Sequence, residues 1–142
     1  MTSRVRFALV SEEAVSVDVC VSAVSAASAG AVVTFAGVVR DHDEGRGVVA
    51  LRYSSHSSAG DAIQRVADTV AAQFPEVVLA VAHRVGGLMV GDVALACAVA
   101  SAHRSDAFAA CSALVDAVKE GVPIWKEQEF TDGTSEWVAS IG

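Results

Sequence analysis

Both lysines of this 142-residue chain lie in one short stretch, KEGVPIWKEQ, which covers residues 119 to 128. Every other basic side chain is one of eight arginines or four histidines. A lysine amine can act as a base or nucleophile when it loses its proton, whereas an arginine guanidinium stays charged. A second, charged lysine nearby can stabilise an oxyanion. The pair therefore predicts a site for proton transfer that acts on an anionic substrate.

The sequence between the two lysines favours their convergence. Lys119 falls in the last turn of a predicted helix, where the macrodipole favours a cation. Gly121 is expected to cap this helix in the left-handed conformation, and Pro123 makes the residue before it extended, so that a strand begins at once. Lys126 follows in that strand, and we expect Trp125 on the opposite face to anchor it in the core. Taken singly, each lysine also fits an ordinary exposed charge.

Two further basic groups are candidates for binding an anion. His103 and Arg104 lie in SAHRSDAF, before a helix that begins near Ser105. Free backbone N–H groups at a helix start, with basic side chains beside them, suit a phosphate or carboxylate. Arg40 ends the strand TFAGVVR and is the third candidate. The alternatives are a polar loop capped by Ser105 and an ordinary surface arginine.

The composition limits the possible partners. A net charge of −7 argues against nucleic acid and against an anionic membrane. No apolar run reaches the roughly 18 residues that span a bilayer, and we expect a cytoplasmic protein. No metal site is expected, because His42 and its flanking aspartates have no partner ligand at a diagnostic spacing. The three cysteines lack C-x-x-C pairing and are expected to be small buried residues: Cys20, Cys97 and Cys111.

The periodicity predicts a single domain over residues 1–142 with about three helices. The predicted order is one strand, then a helix and two strands three times over, which departs from the strict alternation of a doubly wound fold. The fold class is therefore α+β with a mostly antiparallel sheet. The first helix is expected from the cap Ser16 to near Gly30, and the second over 59–74. The third is expected to bury Phe108, Cys111, Val115 and Val118, and residues 41–47 to form a polar loop.

Four motifs together resemble the catalytic (large) subunit of molybdopterin synthase. They are GAVVTFAGVVRDH, HRVGGLMVGD, SAHRSDAF and VKEGVPIWKEQ, and the likeness runs from about Arg4 to Val138. The resemblance implies an α/β-hammerhead fold and a homodimer within a heterotetramer, in which each protomer binds a small ubiquitin-like sulfur-carrier subunit. The Gly-Gly C-terminus of the carrier, as a thiocarboxylate, donates sulfur twice to cyclic pyranopterin monophosphate. The product is the dithiolene of molybdopterin, in molybdenum cofactor biosynthesis, and no metal, ATP or other cofactor is implied.

The same resemblance assigns roles to residues. Lys119 and Lys126 match the two essential lysines of the family, the first for proton transfer or attack and the second for stabilising negative charge. Arg40, His103 and Arg104 match residues that hold the anionic pterin, and the last two are expected to come from the neighbouring protomer. Their neighbours complete the expected substrate-binding set: Val38, Val39, Glu127 and Gln128.

Some positions depart from the family pattern and keep an alternative open. Val38 stands where many members have a basic residue, and Glu127 with Gln128 where a basic residue and then Glu are common. Ser54 and Ser55 replace a frequent acidic–small pair. The alternative function is therefore a non-catalytic paralogue that binds a ubiquitin-like tail or an anionic metabolite, although the retained lysine pair favours the enzyme.

Overall fold

The computed structural model describes residues 3–139, which form two β-sheets and three helices. The strands are β1 (Val5–Ser11), β2 (Ala31–Val38), β3 (His42–Asp43), β4 (Arg46–Ser55), β5 (Val78–Arg84), β6 (Gly86–Met89), β7 (Val93–Ser101), β8 (Ile124–Phe130) and β9 (Ser135–Ala139). The helices are α1 (Val17–Val24), α2 (Ala59–Gln73) and α3 (Arg104–Gly121). Of the single domain predicted over residues 1–142, residues 1–2 and 140–142 lie outside the described range.

The first sheet has the strand order β1-β5-β7-β2, with β1 parallel to β5 and the other pairs antiparallel. Helices α2 and α3 cover one face, and α1 covers the other. Side chains alternate along a strand, so Leu95, Cys97 and Val99 of β7 point toward α2 and α3, and the alanines between them point toward α1. Burial on both faces explains why this strand reads as one continuous apolar run.

The second sheet is built around β4, which pairs with β8 on one side and with β6 on the other. Strand β9 extends it beyond β8, and the two-residue β3 forms a hairpin with the start of β4. The β4–β8 register places Tyr53 opposite Lys126 and Leu51 opposite Gln128. These four side chains therefore point to the same face of the sheet, toward the end of the first sheet.

The α+β class, the three helices and the mostly antiparallel pairing are confirmed, while several local predictions need correction. The first helix ends at Val24 and not near Gly30, because Ser25 is extended and both its backbone N–H and its Oγ bond back to the Val21 carbonyl. The predicted polar loop 41–47 contains the β3–β4 hairpin, whose turn uses Glu44 and Gly45 at φ values of 49° and 80°.

Two aromatic residues expected in the core are exposed. Phe108 is 61% exposed, because α3 buries a stripe of smaller residues: Ala107, Ala110, Cys111, Leu114 and Val118. Trp125 is 44% exposed, because the inward positions of β8 are occupied by its alternate neighbours, from Ile124 onward. The expected anchoring of β8 by Trp125 is therefore wrong.

Gly121 also differs from its predicted conformation. It is the last residue of α3 and is not among the glycines with positive φ, so the expected left-handed cap is wrong. A Cβ at this position would lie 3.0 Å from the Val66 Cγ2 atom of α2. The absence of a side chain at Gly121 therefore allows α3 to pack closely against α2. Val122 is extended as predicted, at φ −105° and ψ 123°.

Candidate functional site

A cavity of about 410 Å³ lies where the end of β2 and the end of α3 meet the inner face of β4 and β8. It brings together residues from distant parts of the sequence, including both lysines of the chain. The lining residues are Phe35, Gly37, Val38, Val39, Arg40, Leu51, Tyr53, His83, Ala94, Leu95, Val118, Lys119, Val122, Ile124, Lys126 and Gln128.

The two lysines enter this cavity from different elements. Lys119 projects from the last turn of α3, and Lys126 is the third residue of β8. The extended Val122 and then Pro123 turn the chain from helix to strand in two residues, so that both side chains converge, half-buried, on one space. Neither lysine forms a salt bridge with any residue in the range 3–139, so both amines are available to a bound molecule.

The half-buried Tyr53 and the buried His83 form another part of the wall. Their rings meet edge to face, with centroids 4.9 Å apart and planes at 83°. The His83 Nδ1 atom lies 2.7 Å from the Arg84 carbonyl, which can only accept, so Nδ1 donates and Nε2 carries the lone pair of the neutral ring. Burial lowers the pKa of His83, the Arg84 hydrogen bond opposes this, and the charge of Lys119 lowers the pKa further. Burial raises the pKa of Tyr53, so the cavity presents a neutral imidazole and a neutral phenol.

The rim of the cavity carries a carboxylate that links two of the lining residues. Asp43 accepts a hydrogen bond of 2.8 Å from Gln128 Nε2 and one of 3.1 Å from Arg40 Nη2. The Gln128 hydrogen bond lowers the pKa of Asp43 most, and the Arg40 hydrogen bond and the charges of Lys126 and Arg40 lower it further. This carboxyl is therefore ionised near neutral pH.

The balance of charge at the cavity favours an anion. Arg40, Lys119 and Lys126 line it, and Asp43 at the rim is partly neutralised by Arg40. In a chain of net charge −7, such a group of cations marks a selective site for a phosphate or carboxylate. The remaining polar side chains can position such an anion and exchange a proton with it.

Some of the predicted site residues line the cavity, and the others lie outside it. Arg40, Lys119, Lys126 and Gln128 line the cavity, together with the exposed Val38 and the buried Val39. Glu127 lies on the opposite face of β8, across from Arg52 of β4. The alternation of side chains along the strand explains why two sequence neighbours, Glu127 and Gln128, do not share the site.

His103 and Arg104 lie far from the cavity of their own chain. They stand exposed at the start of α3, while Lys119 stands near its end. Fifteen residues of helix separate Arg104 from Lys119, which is about 23 Å at 1.5 Å per residue. Within one protomer these two side chains cannot contribute to the site, so any contribution must come from a second copy of the chain.

Sequence reasoning missed three residues of the site: Asp43, Tyr53 and His83. His83 was not among the predicted site residues, although it opens the motif HRVGGLMVGD that contributed to the family resemblance. Tyr53 could be recognised only from the β4–β8 register, and Asp43 only from the β3–β4 hairpin. Among residues 3–139 no three His, Cys, Asp or Glu side chains cluster as a metal site, and no helix is long and apolar enough to cross a membrane.

Known proteins are similar to this chain in sequence and in fold. The family model described as "MoaE protein" matches residues 10–121. The molybdopterin synthase catalytic subunit of Arabidopsis thaliana is 40% identical over 125 residues, which is 86% of this chain. The chain spans 63% of that relative's length.

Solved structures agree with the sequence comparison. The crystal structure of molybdopterin synthase from Staphylococcus aureus has a TM-score of 0.86 at 28% identity and covers 97% of this chain and 98% of its own. A protein–protein complex of subunits 1 and 2 of molybdopterin-converting factor from Helicobacter pylori shares the fold, with a TM-score of 0.62 at 20% identity over 79% of this chain and 72% of its own. The fold expected from the resemblance is therefore confirmed, and the chain belongs to the MoaE protein family, that of the molybdopterin synthase catalytic subunits.

Proposed function

We propose that this chain is the sulfurtransferase subunit of a molybdopterin synthase. It moves sulfur from the C-terminal thiocarboxylate of a small ubiquitin-like carrier subunit to cyclic pyranopterin monophosphate, and two such transfers form the dithiolene of molybdopterin. The observation that carries this proposal is the shared cavity of Lys119 and Lys126, because it joins family membership to a site that suits an anionic substrate. We place the reaction in the cytoplasm.

The surroundings of the two lysines suggest a different catalytic role for each. Lys126 lies near the ionised carboxylate of Asp43, a setting that suits a permanent ammonium group. It is therefore assigned to stabilise the negative charge that develops when the carrier's acyl carbon or the pterin is attacked. Lys119 lies near the neutral imidazole of His83 and is assigned to proton transfer at the reacting centre, or to direct attack on it.

The anionic groups of the pterin are assigned to the basic side chains. Arg40 at the cavity mouth can hold the cyclic phosphate with several N–H donors at once. His103 and Arg104 join it from the neighbouring protomer of a homodimer, since the length of α3 keeps them out of their own cavity. With one carrier on each protomer the assembly is a heterotetramer, and the Helicobacter pylori complex is a solved example of two such subunits together.

Reconstitution from purified components tests the function. The chain is mixed with thiocarboxylated carrier and cyclic pyranopterin monophosphate, and the dithiolene product is measured by chromatography. We expect product with the wild-type chain and a loss of at least about 100-fold with Lys119→Ala, the usual scale for removing a proton-transfer group. Glu120→Ala, which changes the exposed neighbouring residue, is the matched control and should retain wild-type turnover.

The same experiment separates the enzyme from a binding protein. A wild-type chain that binds both the carrier and the pterin but forms no product would identify the non-catalytic paralogue and refute the proposed function. Normal turnover by a folded Lys119→Ala variant would remove Lys119 from the mechanism while leaving the assignment of the family intact.

A further inference from the structure

The rim carboxylate of Asp43 connects two cavity residues that come from distant parts of the chain. Gln128 lies on β8, 85 residues from Asp43, and Arg40 lies just after the end of β2. The β3–β4 hairpin holds Asp43 at the edge of the second sheet, close to both of them. A single carboxylate thus ties together two strands that belong to different sheets.

Asp43 fixes the orientation of the Gln128 amide. Gln128 is only 3% exposed and lines the cavity, so its two amide atoms have few alternative partners. A carboxylate can only accept, and therefore the Nε2 group must face Asp43 and donate to it at 2.8 Å. The Oε1 atom is then left as a neutral acceptor for the cavity, and no side chain among residues 3–139 donates to it. A pterin ring carries amide and amine N–H groups that such an acceptor can bind.

Asp43 also restrains the side chain of Arg40. This side chain is 67% exposed and would otherwise sample many rotamers at the cavity mouth. Its Nη2 group donates to Asp43 at 3.1 Å, which uses one of five N–H donors. The others remain free for an anionic group of the substrate, and the planar guanidinium is already oriented before that group arrives.

We infer that Asp43 is a positioning residue for the substrate: it holds Arg40 ready for an anionic group of the pterin and turns the Gln128 carbonyl toward the pterin ring. This inference rests on the proposed function, because it takes the pterin monophosphate as the ligand of the cavity. Among residues 3–139 the Asp43 carboxylate hydrogen-bonds to Arg40 and Gln128 and not to either lysine, and Lys126 keeps its positive charge when Asp43 is replaced, so we expect the main effect on substrate binding and not on the chemical step.

If Asp43 weakened substrate binding instead of supporting it, its replacement would change KM in the opposite direction. If the carboxylate only competed with the substrate for Arg40, its removal would free the guanidinium and strengthen binding. The sign of the change in KM therefore distinguishes a positioning residue from a competitor. A purely structural role would change the thermal stability and leave KM of the folded protein unchanged.

The test compares Asp43→Ala and Asp43→Asn with Asp41→Ala. Asp41 is the matched control, because it is an exposed carboxylate two residues away whose only side-chain partner within residues 3–139 is His42, at 2.9 Å. KM and kcat are measured in the reconstituted reaction, and the Kd of cyclic pyranopterin monophosphate by calorimetry. We expect Asp43→Ala to raise KM and Kd about tenfold, as for loss of charge-assisted hydrogen bonds, with kcat within about twofold of wild type. Asp41→Ala should match wild type.

A double-mutant cycle identifies the residues through which Asp43 acts. In an Arg40→Ala, Gln128→Ala background, Asp43→Ala should have no further effect on Kd, because its two partners are already absent. An unchanged or lowered KM in both Asp43 variants would overturn the inference, and so would an undiminished effect in that background. If Asp43→Ala fails to fold, the inference is tested with Asp43→Asn alone, which we also expect to raise KM and the Kd of the pterin. A wild-type chain that binds the pterin without product would refute the proposed function alone.

Discussion

At the scale of single residues, the cavity distinguishes its two lysines by their neighbours. Lys126 has an ionised carboxylate nearby, and Lys119 has a buried neutral imidazole nearby. The proposed division of roles between the two lysines rests on this difference in their neighbours. This asymmetry is absent from the sequence, where both residues stand in one short polar segment.

Lys119→Arg tests whether Lys119 must lose its proton. The substitution keeps the positive charge and most of the side-chain length, but arginine stays protonated at any pH at which the protein is folded. We expect a loss of turnover on the order of 100-fold or more in the reconstituted reaction, comparable with Lys119→Ala. Lys126→Arg is the matched comparison and should lose much less, because a permanent cation suits its role. Full activity of Lys119→Arg would refute proton transfer by this residue.

His83 makes the stability of the protein depend on pH. Its pKa is lowered in the folded state, chiefly by burial, while an unfolded histidine titrates near 6.5. Below about pH 6.5 the unfolded state therefore binds more protons, so this contribution to stability is complete above that pH and is lost as the pH falls. We expect the free energy of unfolding of the wild type to fall between pH 7.5 and 5.5, by up to about 1.4 kcal/mol per pH unit from this group.

Comparison of His83→Gln with the wild type by urea denaturation measures that slope. Glutamine does not titrate, so the variant should show a shallower fall in the free energy of unfolding over the same range. His56→Gln, which changes an exposed histidine, should keep the wild-type slope. Equal slopes in the wild type and His83→Gln would show that His83 is not the group responsible.

At the scale of elements, Arg4 holds the C-terminal end of α2. Its guanidinium donates to three backbone carbonyls there, of Ala71, Phe74 and Val77, at 2.9 to 3.1 Å. The last turn of α2 has no basic residue of its own, so Arg4 supplies the cation that the helix dipole favours. These hydrogen bonds connect the segment before β1 to the turn between α2 and β5.

Arg4→Ala should therefore destabilise the fold by roughly 2 to 3 kcal/mol, since partly buried, charge-assisted hydrogen bonds are lost and the carbonyls are left without these donors. The free energy of unfolding from urea denaturation is the measurement. Arg6→Ala is the control, because Arg6 donates only to the exposed Ser3 carbonyl, and it should change stability by less than about 0.5 kcal/mol. An equal effect of the two substitutions would refute the anchoring role of Arg4.

The helices and strands also show which parts of the site can be predicted from the sequence. The helix end at Lys119 and the strand start before Lys126 follow from local signals, namely a helical stripe and Pro123, and these were sufficient to place both lysines on converging elements. Trp125 was misplaced because its burial depends on what covers the outer face of β8. Tyr53 and Asp43 were missed because strand register and hairpin geometry decide which residues meet across 70 or more positions.

At the scale of the whole molecule, α3 separates two sets of basic residues by its full length. Lys119 lines the cavity of its own protomer, whereas His103 and Arg104 lie at the other end of α3, too far away to reach that cavity. In the proposed function these two residues complete the site of the neighbouring protomer in a homodimer, so an isolated protomer should bind the pterin weakly.

Mixing two inactive variants tests the shared site. In a dimer of one Lys119→Ala chain and one Arg104→Ala chain, one cavity carries both defects and the other carries neither. Random exchange makes half of the dimers mixed, each with one intact cavity of two, so the mixture should recover about a quarter of wild-type activity. Each variant alone is the control. No recovery, after subunit exchange has been verified, would show that Arg104 does not act across the dimer.

The burial of the three cysteines has a consequence for a protein that handles an activated acyl sulfur. Cys20, Cys97 and Cys111 are at most 5% exposed, and none of them lines the cavity. Burial raises the pKa of Cys20 to about 11, and a hydrogen bond with Cys111, with burial, raises that of Cys97, so these two thiols are poor nucleophiles. The same hydrogen bond lowers the pKa of Cys111, but this thiol is buried and lies outside the cavity lining. A thioacid tail that enters the site therefore meets amines, an imidazole and a phenol but no competing thiol. Transfer of the carrier's acyl group to an enzyme thiol, which would form a thioester and release the sulfur as sulfide, is thereby avoided.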